Sequence, residues 1–217
     1  LTIYLTFVRI RVIEVITIST KEKILNAAID LFSKSSFSAV SIRDITREVG
    51  IKESSLYYHF KNKDELLECI FEIYREEIKK VCPPLKDIDY ILTQTTPEQF
   101  LLHGLQKFKS LICDNPKMSK ISRILSTEQF SHPKARYIIS NDLYEENIKF
   151  LEVVFTKFME SEYIQEFPAR LLAIEYQYPV FSMITQYQIL QFEQQDTSEL
   201  EKLLEDHVKF FFYKIKK

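Results

Sequence analysis

The sequence predicts an all-α fold, and three observations carry that prediction. From residue 20 onward, apolar residues recur at helical spacing, most clearly in Leu200, Leu203, Leu204, His207, Val208 and Phe211. Only two glycines, Gly50 and Gly104, occur in 217 residues, whereas strand-rich folds need many tight turns. No run after residue 20 reads as a strand.

Composition narrows the function. A hydrophobic content of 46% is enough for a sizeable core. The net charge of −2 excludes a uniformly basic nucleic-acid binder, but the charge is uneven. Residues 1–64 carry +3 and the remainder −5, which suits a nucleic-acid-facing front. With no glycine-rich loop, a P-loop or dinucleotide fingerprint is excluded. Cys69, Cys82 and Cys113 are odd in number and lack CxxC spacing, so neither a disulfide framework nor a zinc site is expected. A reducing cytoplasm fits such cysteine usage. The four histidines, His59, His103, His132 and His207, lack ligand spacing, and no nucleophile signature appears. The sequence therefore predicts no catalysis, no cofactor and no metal. Residues 1–19 are too polar to span a membrane and lack the basic start and cleavage site of a signal peptide. They read as an extension outside the folded domain or as a loosely docked arm, and no membrane partner is expected.

The elements follow in order. Ile24, Ala28, Leu31 and Phe32 mark a first helix with Thr20 as its expected N-cap. Ser41 caps a second, with Asp44 three residues on and Ile42, Ile45 and Val49 as its stripe. Gly50 ends it, being free to turn left-handed. A third short helix, near 52–59, is anchored by Leu56 between Ile51 and Phe60. A long helix runs from Lys63 to Val81 until Pro83-Pro84 stops it. Helical periodicity returns near 97–114, 117–127, 136–160, 168–193 and 197–216, with Pro97, Pro116, Pro133 and Pro168 at the breaks.

Three short helices, with the second and third joined through a glycine turn, form a helix-turn-helix pattern. The last of them enters the major groove in that geometry. The stretch "GIKESSLYYHFKNKDEL" then makes sense. Leu56 anchors the helix inward, while Ser54, Ser55, Tyr57, Tyr58 and His59 offer donors outward. Lys63 opens the next helix, where an amide and a cation can hold a phosphate together.

The text "ILNAAIDLFSKSSFSAVSIRDITREVGIKESSLYYHFKNKDELLECIF" resembles the tetracycline-repressor (TetR) family of regulators. Phe32, Ser41, Arg43, Ile45, Gly50, Ile51, Leu56, Tyr57, His59, Phe60, Lys63 and Leu66 fill the family's pattern. The resemblance spans about 50 residues, and its specificity lies in the combination. It implies that Ser41, Tyr57, His59 and Lys63 grip phosphates, while Arg43, Lys52, Glu53, Ser54, Ser55 and Tyr58 face the groove. Glu53 either accepts from a cytosine amino group or complements its own helix N-terminus. Three residues depart from the pattern. Thr46 stands where alanine is usual, Lys52 where serine is, and Ser54 where glycine is.

The implied organisation is a three-helix helix-turn-helix DNA-binding domain at 20–66 and a helical ligand-binding and dimerisation domain at 67–217, after the 1–19 extension. The implied partners are a near-palindromic double-stranded DNA operator, a second copy of the chain and a small-molecule inducer of unknown identity. Half-sites about 34–36 Å apart need two linked heads. Leu172, Phe181, Ile184, Leu203, Leu204, Val208 and Phe211, on the last two helices, either form the homodimer interface or close the monomer's core. Phe100, His103, Tyr137, Tyr144, Phe155, Glu175 and Tyr176 are the expected pocket residues, with core packing as the alternative. Tyr90, Phe108, Phe130 and Tyr187 offer further aromatic lining. Pro179 is expected to kink its helix and free a carbonyl. The function so implied is a regulator, most often a repressor, released from its operator by a small apolar or aromatic molecule. The alternative is a dimeric, all-helical interaction protein with a head that does not bind DNA.

Overall fold

The computed structural model describes residues 18–217. The expectations for residues 1–17 lie outside the described residues. Helix α1 (Thr20–Lys34) is capped by Ser19, one residue earlier than expected. The Ser19 hydroxyl accepts from the Glu22 amide at 3.2 Å. Its buried face is Ile24, Ala27, Ala28, Ile29 and Phe32. Helix α2 (Ile42–Val49) opens on a capping box: Ser41 Oγ accepts from Asp44 N at 3.2 Å, and Asp44 Oδ2 accepts from Ser41 N at 2.9 Å. Gly50 closes the helix at φ 74°. There Ile51 N donates to Thr46 O at 3.0 Å and Gly50 N to Arg47 O at 3.3 Å, the paired bonds of a Schellman turn. Helix α3 (Glu53–His59) follows and sinks Leu56 into the core.

Helix α4 (Lys63–Ile78) starts at Asn62, whose Oδ1 accepts from Glu65 N at 2.8 Å. It stops three residues before the expected Val81, and tight turns carry the chain on to Pro83. Its inner face, from Leu66 through Ile70 and Phe71 to Tyr74, is fully covered. Helix α4 packs on α1 in the head and on α7 (Pro116–Glu128) in the body, so the 20–66 and 67–217 segments share it.

A short helix not anticipated from the sequence, α5 (Ile88–Gln94), follows. Helix α6 (Pro97–Lys109) starts on a second capping box, Thr96 with Gln99. A wide π-turn at Ser110–Asp114 leads to α7, where Asn115 caps the Lys117 and Met118 amides. The stretch expected as one helix at 136–160 is α8 (Pro133–Tyr137), a π-turn segment at Ile138–Glu145, and α9 (Glu146–Glu160). Helix α10 (Ala169–Phe192) runs unbroken through Pro179. Pro179 has no N–H for the carbonyl of Glu175, and both residues are exposed; the next carbonyl, Tyr176 O, lies 2.9 Å from His207 Nε2. Helix α11 (Ser198–Ile215) packs on α10 and α6. Among the described residues, strand-like pairing is limited to one bridge, Ile164 with Lys216.

Candidate nucleic-acid interface

The outer surface of the head is built from α2, the Gly50 turn and α3. Leu56 and Phe60, 0% and 2% exposed, lock the inner side of α3. Truncating a side chain so buried costs about 2–5 kcal/mol. With that side fixed, Lys52, Ser54, Tyr57 and Tyr58 stand in solvent, and Ser55 and His59 lie half-buried beside them. Tyr58 is 85% exposed. It meets the His59 ring edge-on at 5.1 Å. Ser41 is exposed at the start of α2, where its Oγ also donates to Asp44 Oδ2 at 2.6 Å. That bond, with the Ser41 amide behind it, holds the Asp44 carboxyl below the usual carboxylate range.

Two predicted DNA contacts are engaged within the protein. Lys63 Nζ donates to the carbonyls of Phe37 and Val40, each at 2.8 Å, and lies 4.2 Å from the centre of the Phe37 ring. Its ammonium therefore fastens the turn between α1 and α2, the turn that presents Ser41. Arg43 Nε donates to Glu53 Oε1 at 3.0 Å, tying α2 to α3. Glu53 thus has a cation as partner, which neither sequence reading of it anticipated. The pair is well exposed and worth about 0–1 kcal/mol, so Arg43 can be drawn away cheaply. Thr46 is 4% exposed, and its hydroxyl bonds back to Arg43 O at 3.2 Å. The departure from alanine is accommodated without an orphaned polar group. Lys21, which the sequence did not single out, places its Nζ over the Phe60 ring at 5.6 Å, beside the end of α3. Its only signal was its position at the start of α1.

A second feature lies in the body. A cavity of about 360 Å³ opens between α5, α6, α9, α10 and the turn after α4, a size within the ligand-pocket range. Of the expected pocket residues, Phe100, His103 and Tyr176 line it, as do Tyr90 and Phe108. The other four stand elsewhere. Phe155 is completely buried and packs on Phe158, Tyr176 and Phe211. Tyr144 stacks edge-on against Phe181 at 4.7 Å. Tyr137 takes the Arg75 guanidinium over its ring at 5.8 Å. Glu175 points outward from α10 into solvent. Tyr176 anchors its hydroxyl on Leu101 O at 3.2 Å and so fixes α10 to α6 across the cavity wall. Gly104 faces open space, with nothing within 4 Å of where a Cβ would stand.

The expected interface residues also need correction. Leu172, Phe181, Ile184, Leu204, Val208 and Phe211 are buried inside the monomer, and only Leu203 is exposed. The outward faces of α10 and α11 carry a different apolar set: Leu171, Tyr178, Ile189 and Phe192 on α10, and Leu203, Phe210 and Tyr213 on α11.

Residues 24–70 match the family model for bacterial regulatory proteins of the tetR family. Over that span the chain is similar to the TetR family. The matched span runs from α1 into α4 and holds every predicted DNA contact. One relative is IcaR of Staphylococcus epidermidis, a negative transcriptional regulator of the biofilm operon icaADBC, 34% identical over 88 residues. That alignment covers 41% of this chain and 42% of IcaR, so the chain matches less than half the length of this relative. The fold extends further than the sequence match. A TetR family regulator from Pseudomonas syringae superposes with a TM-score of 0.63 at 14% identity, covering 92% of this chain and 98% of its own. A transcriptional regulator from Saccharomonospora viridis, solved in complex with choline, superposes with a TM-score of 0.62 at 18% identity over 91% and 97% of the two chains. The body thus shares its fold with these structures, at 14% and 18% identity.

Proposed function

We propose that this chain is a homodimeric TetR-family transcriptional regulator that represses from a near-palindromic operator and is released by a small molecule in the α5–α6–α9–α10 cavity. The observation that carries the reading is the outer face of α3, rigidly seated on Leu56 and Phe60 and presenting hydroxyls and an imidazole. In this reading Ser41, Tyr57, His59 and Lys21 hold phosphates. Arg43, Lys52, Ser54, Ser55 and Tyr58 face the major groove. Lys63 positions the Ser41 turn through its two carbonyl contacts, and its backbone amide at the α4 start faces the same phosphate. Glu53 competes with DNA for Arg43 and so favours sites that repay its displacement.

The exposed apolar faces of α10 and α11 supply the surface for a second copy, as a four-helix seam. The cavity supplies the regulatory input. A solved neighbour of the same fold holds choline, which supports the fold's capacity for small molecules. A ligand that prefers one arrangement of α6 and α4 shifts the spacing of the two heads and so weakens both half-sites together.

The test is fluorescence anisotropy with duplexes tiling the DNA upstream of the protein's own gene, at two salt concentrations with nonspecific competitor. Saturable binding to one near-palindromic tile is expected, weakened by salt and by Tyr57→Ala. A folded dimer that binds no duplex even at low salt would sink the reading in favour of an interaction protein.

A further inference from the structure

We infer that the cavity takes an anionic amphiphile, with an apolar body held between α6, α9 and α10 and a carboxylate-like headgroup held by Lys107. This rests on the reading of the cavity as the regulatory site and specifies its ligand. The inner wall is apolar, made largely by Phe100, Leu101, Phe108, Phe150, Leu151 and Val180. The body that fills it is apolar apart from one donor for Asn147 Oδ1, which is buried in the same wall without a partner among the described residues. Among the described residues that line it, none is Asp or Glu. A buried cation would have no counter-charge there, which is costly.

The wall does contain a cation. Lys107 lines both the cavity and a shallower polar groove beside it. Its Nζ donates to the Lys80 carbonyl at 2.6 Å, a neutral partner, and it makes no ion pair among the described residues. Its neighbours differ. Lys109, two residues on, pairs with Asp114 and Glu201, and Lys80 pairs with Glu77. Lys107 is thus a charge-assisted donor without an anion at the mouth of an apolar cavity. Cys82, beside it in the wall, has its thiol pushed up to about 11 by burial, partly offset by the positive charge of Lys107. That thiol stays neutral near pH 7 and does not compete for the ammonium.

The Lys107–Lys80 bond joins α6 to the turn that follows α4, the helix shared with the head. A ligand carboxylate that takes over the Lys107 ammonium removes this tie. Binding at the cavity mouth and loosening of α4 are then one event.

The test uses isothermal titration calorimetry with two matched probe sets, each kept below its micellar concentration. One set is decanoate, decanol and decyltrimethylammonium. The other is naphthoate, naphthol and naphthylmethylammonium. In at least one set the anion is expected to bind at least about tenfold more tightly than the cation, the size of one charge-assisted hydrogen bond. Lys107→Gln should erase that advantage while leaving the neutral member unchanged. Gly104→Leu, which grows into open space at the wall, should block every member. Cations binding as tightly as anions, or an anion indifferent to Lys107→Gln, overturn the ligand class. If Gly104→Leu still blocks those probes, the cavity survives as the regulatory site. Binding that ignores Gly104→Leu, or no binding by any of the six, overturns the site and the ligand class together.

Discussion

Single residues in the head divide into those that shape it and those left to contact a partner. Gly50 shapes it. At φ 74° a side chain meets backbone strain, although no atom lies within 4 Å of where a Cβ would stand. Gly50→Ala should therefore cost about 1–2 kcal/mol in urea unfolding, through the left-handed penalty alone. Lys63 also shapes it. Its removal strands two carbonyls, so Lys63→Met should lower stability by about 1–3 kcal/mol and slacken the Ser41 turn. Gly50 was legible from the sequence because a helix stop announces itself locally. The Lys63 contacts were not, because Phe37 and Val40 lie 26 and 23 residues away and offer only backbone. Glu53 acts on the partner side. Glu53→Gln should free Arg43 and remove a negative charge from the proposed DNA-facing surface. Affinity should then rise several-fold for operator and random duplex alike, and discrimination between them should shrink in anisotropy titrations. A loss of affinity would show that Glu53 itself reads a base.

At the scale of elements, sequence periodicity located helices well and oriented some of them poorly. On helix α11 the pattern selects the inner residues Leu204, Val208 and Phe211, and with them Leu203, which is exposed. The pattern says that a face is covered, but covered by the same chain or by another copy is a tertiary fact. Helix α10 has apolar residues all round, from buried Leu172 to exposed Leu171 beside it, so no period selects a face. The π-turns at Ser110–Asp114 and Ile138–Glu145 left no mark in the pattern, since a wide turn keeps the chain helical while shifting its phase. The corrected faces make a sharp prediction. Leu203→Glu with Phe210→Glu should leave the fold intact and convert the proposed dimer to monomer in sedimentation. Leu204→Asp, which buries a charge in the monomer core, should unfold the chain instead. A double variant that stays dimeric would place the interface elsewhere.

Over the whole molecule, the head is tied to the body by groups that no sequence pattern advertises. Glu128, 7% exposed at the end of α7, accepts from the Phe37 amide at 3.0 Å and from Ser131 Oγ at 2.6 Å. Lys120 reaches Asp30 on α1, and Lys134 reaches Glu72 on α4 at 2.9 Å. The hydrogen bond from Lys134, with the charges of Lys134 and Arg75, holds the Glu72 carboxyl below its ordinary range. Because the folded value is depressed, this contribution is present above the unfolded carboxylate pKa of about 4.3 and is lost as pH falls through the folded value. Melting temperature should therefore be flat from neutral pH down to about 5 and fall below about 4, with a shallower fall in Glu72→Gln. Glu128 makes the more direct link to function. The turn it holds at Phe37 is the same one Lys63 holds from α4, so α7 and α4 grip the Ser41 corner from two sides. Glu128→Ala leaves the Phe37 amide without its acceptor, while Ser131 Oγ keeps the carbonyl of residue 128 at 3.2 Å, and should cost about 1–3 kcal/mol. Glu128→Gln keeps an acceptor and should recover most of it. Hydrogen exchange at Phe37 should rise in the alanine variant, and operator affinity should drop while the dimer persists. If Glu128→Ala speeds exchange at Phe37 yet binds operator as tightly as the parent, the Ser41 corner is not a DNA contact, and the interface reduces to α3 and the Arg43 side of α2.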